Sequence, residues 1–112
     1  LAYTSDERYK DITGDADGLN LISKLKPIKY KWKEGSDLGD GTETQGFGAQ
    51  SYKQAFDDVG SHPRGVSVPE DEDTEKWTLD YTHLVPNLVK AIQELETEVT
   101  NLRARLTAEE NK

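Results

Sequence analysis

The apolar residues in the last third of the chain constrain its fold most. Starting at Val85 they recur at Leu88, Ile92, Leu95, Val99, Leu102 and Leu106, in steps of 3, 4, 3, 4, 3 and 4. A seven-residue repeat of this kind keeps one stripe of a helix facing a partner helix, as in a coiled coil. Residues 84–110 as a helix make a rod about 40 Å long at roughly 1.5 Å per residue. A single small domain has no surface long enough to cover the C-terminal half of such a rod. The spacing therefore predicts copies of the chain joined along a seam of Leu88, Ile92, Leu95, Val99, Leu102 and Leu106, rather than an amphipathic helix folded onto its own domain. With Ile92 and Val99 at position a and Leu95 and Leu102 at d, Glu98 at g meets Arg103 at the following e. That pair attracts across a parallel, in-register interface and selects orientation more than it adds stability. Pro86 falls in the first turn, where its missing N–H costs little, and Thr82 or a neighbour is the expected cap.

The remainder of the 112 residues holds one domain at most. The apolar supply is thin, at 33% hydrophobic against 32% charged. A chain of this length buries only about two thirds of the surface that its unfolded form exposes. A core shared between copies, or attachment to a larger protein, is expected on these grounds. There is no methionine, so Leu1 is expected to be an internal position of a longer polypeptide. The formal net charge is -8, from 14 Lys and Arg against 22 Asp and Glu, which argues against nucleic acid and anionic membrane as partners. There is no apolar run of about 18 residues, and the first residues given do not read as a basic-then-apolar pattern. The lack of cysteine excludes disulfides and thiolate metal sites without fixing a compartment.

Along the chain, residues 1–4 read as an extended lead-in and 11–18 as a turn-rich loop. Asp15-Ala-Asp17-Gly18 has the look of a calcium loop. Its glycine stands at the fourth position instead of the sixth, however, and Lys26 stands at the twelfth, where a bidentate glutamate is needed. Residues 19–25 carry apolar residues at helical spacing and stop before Pro27, predicting a short helix. Ile28-Lys-Tyr-Lys-Trp-Lys33 alternates with period two, predicting a strand with Ile28, Tyr30 and Trp32 inward and a solvated lysine face. Residues 34–44 form a glycine-rich excursion, and 44–50 a second strand anchored by Phe47. Gly46-Phe-Gly48 lacks the third glycine and the lysine of a phosphate cradle, and is read as permitting close backbone approach. Tyr52, Ala55, Phe56 and Val59 mark a short helix over 51–59, ended by Gly60. Residues 61–73 are expected to be a polar loop closing in the acidic run Glu70-Asp-Glu-Asp73, and 77–81 a third strand.

Ser5-Asp-Glu-Arg-Tyr-Lys10 places a hydroxyl and an amine five residues apart. A serine becomes a nucleophile only with a base in hydrogen-bond reach, and a lysine serves as that base only when burial or a nearby cation disfavours its charged form. Arg8 is such a cation, close in sequence. Facing each other across a turn, Ser5 and Lys10 would let the Ser5 oxygen attack the carbonyl of Thr4, an intramolecular step that needs no substrate cleft. The same spacing also suits a serine that merely caps a turn, with Arg8 and Lys10 solvated.

Taken in order, Ser5-Asp-Glu-Arg-Tyr-Lys10, Leu25-Lys-Pro-Ile-Lys-Tyr-Lys-Trp-Lys33, Gly46-Phe-Gly-Ala-Gln50 and the run from Asp80 to Leu95 resemble the endosialidase-type intramolecular chaperone domain. That domain closes bacteriophage tailspikes, tail fibres and neck appendages. The resemblance covers nearly the whole chain, with departures at Tyr9, Gly48 and Ser51-Tyr52. It implies an α+β fold: a small antiparallel sheet, short helices and a long C-terminal helix forming a parallel trimeric coiled coil. It divides the chain into a residual upstream fibre segment (1–4), a chaperone head (5–82) and a coiled-coil helix (83–112). It further implies a homotrimer that helps an upstream fibre segment of the same polypeptide to fold, in the host cytoplasm during virion assembly. The domain then frees itself by one cut between Thr4 and Ser5. Ser5 maps to the nucleophile, Lys10 to the base, and Asp6 and Arg8 to candidate orienting residues; no cofactor and no metal is implied. The competing classes are a trimerisation domain without chemistry and a receptor-binding fibre tip that uses the loops at 34–44 and 60–75.

Overall fold

The computed structural model describes residues 2–112; Leu1, the first residue of the expected lead-in, lies outside them. A 3-10 turn, Glu7–Tyr9, leads through a loop to helix α1, Leu19–Ile22. Strands β1, Ile28–Tyr30, and β2, Thr44–Gly46, pair antiparallel with Ile28 opposite Gly46 and Tyr30 opposite Thr44. Helix α2, Ala49–Asp58, follows. Strands β3, Val66–Ser67, and β4, Thr78–Leu79, make a second antiparallel pair. A 3-10 turn, Tyr81–Leu84, then runs directly into α3, Val85–Glu110. The fold is α+β, with two small antiparallel sheets where one was expected.

The core forms where three short apolar patterns meet. Tyr52, Ala55 and Phe56 share one face of α2 at the i, i+3, i+4 spacing, and they pack with Leu21 of α1 and Leu84 at the root of α3. Phe47, Val66 and Leu79 close the edges of this cluster. Phe47 meets Tyr81 edge-on at 5.2 Å between ring centroids, and its backbone N–H donates to the Tyr81 hydroxyl at 2.8 Å. A Cβ on Gly46 would lie 2.6 Å from that same hydroxyl, so the close approach expected of this glycine is made by Tyr81. α2 ends as its sequence indicates. Gly60 takes φ +75°, and the N–H groups of Gly60 and Ser61 donate to the carbonyls of Asp57 and Phe56, closing a Schellman turn.

Several local expectations give way to tertiary context. The period-two stretch stops being a strand at Tyr30, and Ile28 and Trp32 are 43% and 45% exposed where both were expected inward. β1 has one partner strand, and the core lies on α2, so no layer covers Ile28 or Trp32. The second strand ends at Gly46, and α2 begins at Ala49, earlier than the expected 51. Residues 66–67, expected in a loop, pair with 78–79 because the Gly65 carbonyl accepts the Asp80 N–H and aligns the two segments. The predicted helix 19–25 completes only Leu19–Ile22 before turning toward Pro27. Thr82 caps nothing. Its own N–H donates to the Asp80 carboxylate, which caps the 3-10 turn ahead of α3.

One flank of α3 holds the head. Ala91 and Asn87 are buried there; the Asn87 amide donates to the Asp17 carbonyl at 2.9 Å, and a Glu94 carboxylate oxygen accepts the Leu19 N–H at 2.7 Å. Glu94 thereby satisfies one of the N–H groups that the start of α1 leaves without a helical partner. Gly18 makes this fit possible, since a Cβ there would meet both Glu94 and Lys90.

Candidate functional site

The chain around Ser5 turns sharply because Asp6 caps the 3-10 turn. Its carboxylate accepts the Arg8 N–H at 3.0 Å, and the Lys10 N–H donates to the Glu7 carbonyl at 3.0 Å. This reversal brings the ends of the six-residue motif side by side. Lys10 Nζ lies 2.7 Å from Ser5 Oγ. Asp6, not Ser5, is the capping residue, so the serine hydroxyl is committed to no backbone group of the turn.

Asp6 and Arg8 are brought together as a fork. Arg8 Nε donates to both carboxylate oxygens, and a second guanidinium nitrogen donates to one of them at 2.7 Å. These bonds, first from the Arg8 side chain and then from its backbone N–H, hold the Asp6 carboxyl below the usual carboxylate range and raise the Arg8 guanidinium above its own. The Arg8 charge expected to act on Lys10 is thus compensated at close range by Asp6. Arg8 also lies over the Tyr9 ring, 5.6 Å from its centroid. Thr4, Ser5 and Lys10 are all exposed, and the hydrogen bonds of the motif stay within it. The turn is set by its own residues and presents the hydroxyl–amine pair at the surface.

The second feature is the heptad stripe. Leu88, Ile92, Leu95, Val99, Leu102 and Leu106 are all exposed on the single chain, Ile92 to 64% and Leu95 to 47%. The half of α3 beside the head keeps its stripe open too, because the head takes a different flank. Asn87 and Glu94 occupy heptad position c and Ala91 position g, while a and d face away. Sequence reading missed this division of α3 into two working faces. The sole trace of it was two polar residues seven apart, Asn87 and Glu94, beside a small Ala91.

A serine and a lysine within hydrogen-bond distance are the minimal constellation of one class of serine peptidases, in which the lysine replaces the histidine and aspartate of a triad. A small α+β head carrying that pair on a heptad-patterned helix narrows the class further. The chain belongs to the chaperone-of-endosialidase family, a peptidase family whose profile matches residues 5–61 and so begins at Ser5 itself. No curated protein and no solved structure matches the chain.

Proposed function

We propose that this chain is an intramolecular chaperone that assembles through its C-terminal helix, supports the folding of the polypeptide upstream of it, and is then released by its own Ser5. The observation that carries this reading is the 2.7 Å contact between Ser5 Oγ and Lys10 Nζ, at the first residue of the family match. In the proposed reaction the Ser5 oxygen adds to the carbonyl carbon of Thr4 while its proton passes to Lys10 Nζ. The bond between the Thr4 carbonyl and the Ser5 nitrogen breaks, and the leaving nitrogen takes that proton. An ester of Thr4 on Ser5 remains. Water opens it to a Thr4 carboxylate and restores the hydroxyl. The water-exposed turn needs no substrate cleft, because nucleophile and carbonyl belong to adjacent residues and proximity replaces binding.

A lysine accepts such a proton only in its neutral form, which a dry setting favours. Assembly supplies a reason for that setting to appear late. A parallel seam through Ile92, Leu95, Val99 and Leu102 would hold the C-termini of the copies level, and linked copies raise the local concentration of the segments upstream. A fibre of intertwined chains is slow to start because its non-local pairing must overcome loop-closure entropy first. The family resemblance points to three copies working in the host cytoplasm during virion assembly. The β-branched residues at a with leucine at d would by themselves lean toward two, so counting the chains belongs to the test.

The test uses a longer polypeptide that carries upstream fibre sequence, comparing the parent with Ser5→Ala and Lys10→Ala by intact mass. The parent is expected to lose the upstream piece and yield a new N-terminus at Ser5, while both variants stay whole. An uncut parent, or variants cut like the parent, would overturn the reading. Leu95→Asp, placed on the seam and away from the dyad, is expected to give monomers that no longer cut. Unchanged processing in a monomer refutes the coupling to assembly. The exposure of Ser5 and Lys10 favours one second reading, assembly without chemistry, and that reading predicts no change of mass in any variant.

A further inference from the structure

Two blocks of charge on the head are left without partners. Lys24, Lys26, Lys29, Lys31 and Lys33 fall within ten residues that contain no acid, although the chain as a whole is acidic. Glu70, Asp71, Glu72, Asp73 and Glu75 fall within six residues that contain no base. All ten side chains are exposed, and among the described residues none of them forms an ion pair, whereas Arg8, Lys53, Lys90 and Lys112 each find a carboxylate. The two blocks are built differently. The lysines run from the turn after α1 through β1 and the extended residues that follow it. The acids sit on a formed turn, in which the Asp71 side chain accepts the Asp73 N–H and its carbonyl accepts the Glu75 N–H. Each block carries apolar surface as well: Ile28 and Trp32 among the lysines, and Val68 beside the acids.

Heptad geometry brings the head of one copy against the next. The head rests on positions c and g of its own helix, through Asn87, Glu94 and Ala91. In a parallel coiled coil the g flank of one helix meets the e flank of its neighbour. Position e in this stretch is Val89, 48% exposed on the single chain. A head seated on g therefore borders the neighbouring copy on that side.

The geometry points to a head-to-head contact between copies, in which the lysine block of one chain, with Ile28 and Trp32, receives the acidic turn of the next, with Val68. The inference rests on the assembly reading above and adds the surface by which the heads engage. The occupant is a second copy because the complementary block is present on the same chain and is left uncompensated there. Since the two blocks differ, the contact between heads is heterologous, and it closes on itself when the rod sets a rotation axis. Charges of this kind select partner and register, and they weaken with salt.

The test mixes isotopically light and heavy full-length chains, lets them assemble, and treats them with a zero-length carbodiimide, which joins an amine to a carboxylate in contact. Mass spectrometry then sorts the joined peptides into pure and mixed isotopes. Mixed-isotope peptides linking residues 29–33 to residues 70–75 are expected. They should fall severalfold in yield between 0.1 M and 1 M salt, as the screening length drops from about 10 Å to about 3 Å. A charge swap serves as the variant. Lys29→Glu, Lys31→Glu and Lys33→Glu combined with Glu70→Lys, Asp71→Lys and Glu72→Lys on one chain is expected to keep the mixed peptides with the polarity of the linked blocks reversed. An assembly that sediments intact but yields only links within one chain, or none between these blocks, overturns the inference and leaves the assembly reading standing. A chain that sediments as a monomer overturns both.

Discussion

Tyr52→Phe removes one oxygen atom from the middle of the core. Tyr52 is 1% exposed, and its hydroxyl is sealed from water with no hydrogen-bond partner among the described residues. Its ring is held on three sides: by Phe47 and Phe56 at 5.6 and 5.2 Å between centroids, and by Tyr81 stacked at 6.5 Å. The substitution keeps those contacts and deletes the group whose burial costs about 1–3 kcal/mol when it goes unsatisfied. A gain of about 1 kcal/mol is expected, or about 4 °C in Tm for a domain of this size. Alkaline pH supplies a second readout. Burial, reinforced by the nearby Asp80 and Tyr81, pushes the Tyr52 hydroxyl above its ordinary value of 10.0. A raised acid stays neutral in the folded chain while the unfolded chain ionises. Its contribution to stability is therefore full below pH 10 and is lost as pH rises through the folded value. The assay is guanidinium unfolding at pH 7 and from pH 9 to 11, with protomer concentration fixed, since any self-association would also stabilise the folded chain. Tyr52→Phe should unfold later at pH 7 and lose part of the alkaline decline. A variant that is less stable at pH 7 and declines as steeply as the parent would show that the hydroxyl is satisfied in solution, refuting the reasoning.

Leu84→Ala, at a core position where the turn joins α3, should destabilise the chain by about 2–5 kcal/mol, read by thermal unfolding. Glu94→Ala removes the acceptor of the Leu19 N–H; exchange of that amide should speed up markedly, with a cost of about 1–3 kcal/mol, while amides of α2 stay protected. Gly60→Ala forces a side chain into φ +75° and should cost about 1 kcal/mol in a denaturant titration, with no change at the dyad. Because Arg8 depresses the Asp6 carboxyl, the turn that aligns Ser5 with Lys10 should persist as pH falls to the ordinary carboxyl value of 3.8 and loosen only below it. Asp6→Asn should blunt that response, as followed by the amide resonances of Arg8 and Lys10.

Much of the local architecture was legible in the residues alone. The seven-residue period of α3, the Gly60 stop of α2 and the turn between Ser5 and Lys10 all depend on neighbours within one or two turns of the chain. Such patterns are written directly into spacing and residue type. The strand readings fared less well, because an alternating stretch states that one face wants cover and says nothing about whether a covering layer exists. Ile28 and Trp32 alternate correctly and remain half open, while residues 66–67, with no pattern to speak of, become a strand once the Gly65 carbonyl finds the Asp80 N–H.

Local spacing was enough to make α3 a rod with one apolar stripe and to place a hydroxyl and an amine five residues apart. The tertiary structure alone decided which flank of that rod the head would occupy. Asn87 reaches the Asp17 carbonyl, and Glu94 the Leu19 N–H, across separations of 70 and 75 residues. A buried polar group must be matched wherever the fold brings it, and no local spacing records such a match. Those two hydrogen bonds put the head on positions c and g. They leave Leu88, Ile92 and Leu95 open beside it, so the stripe stays free for another chain.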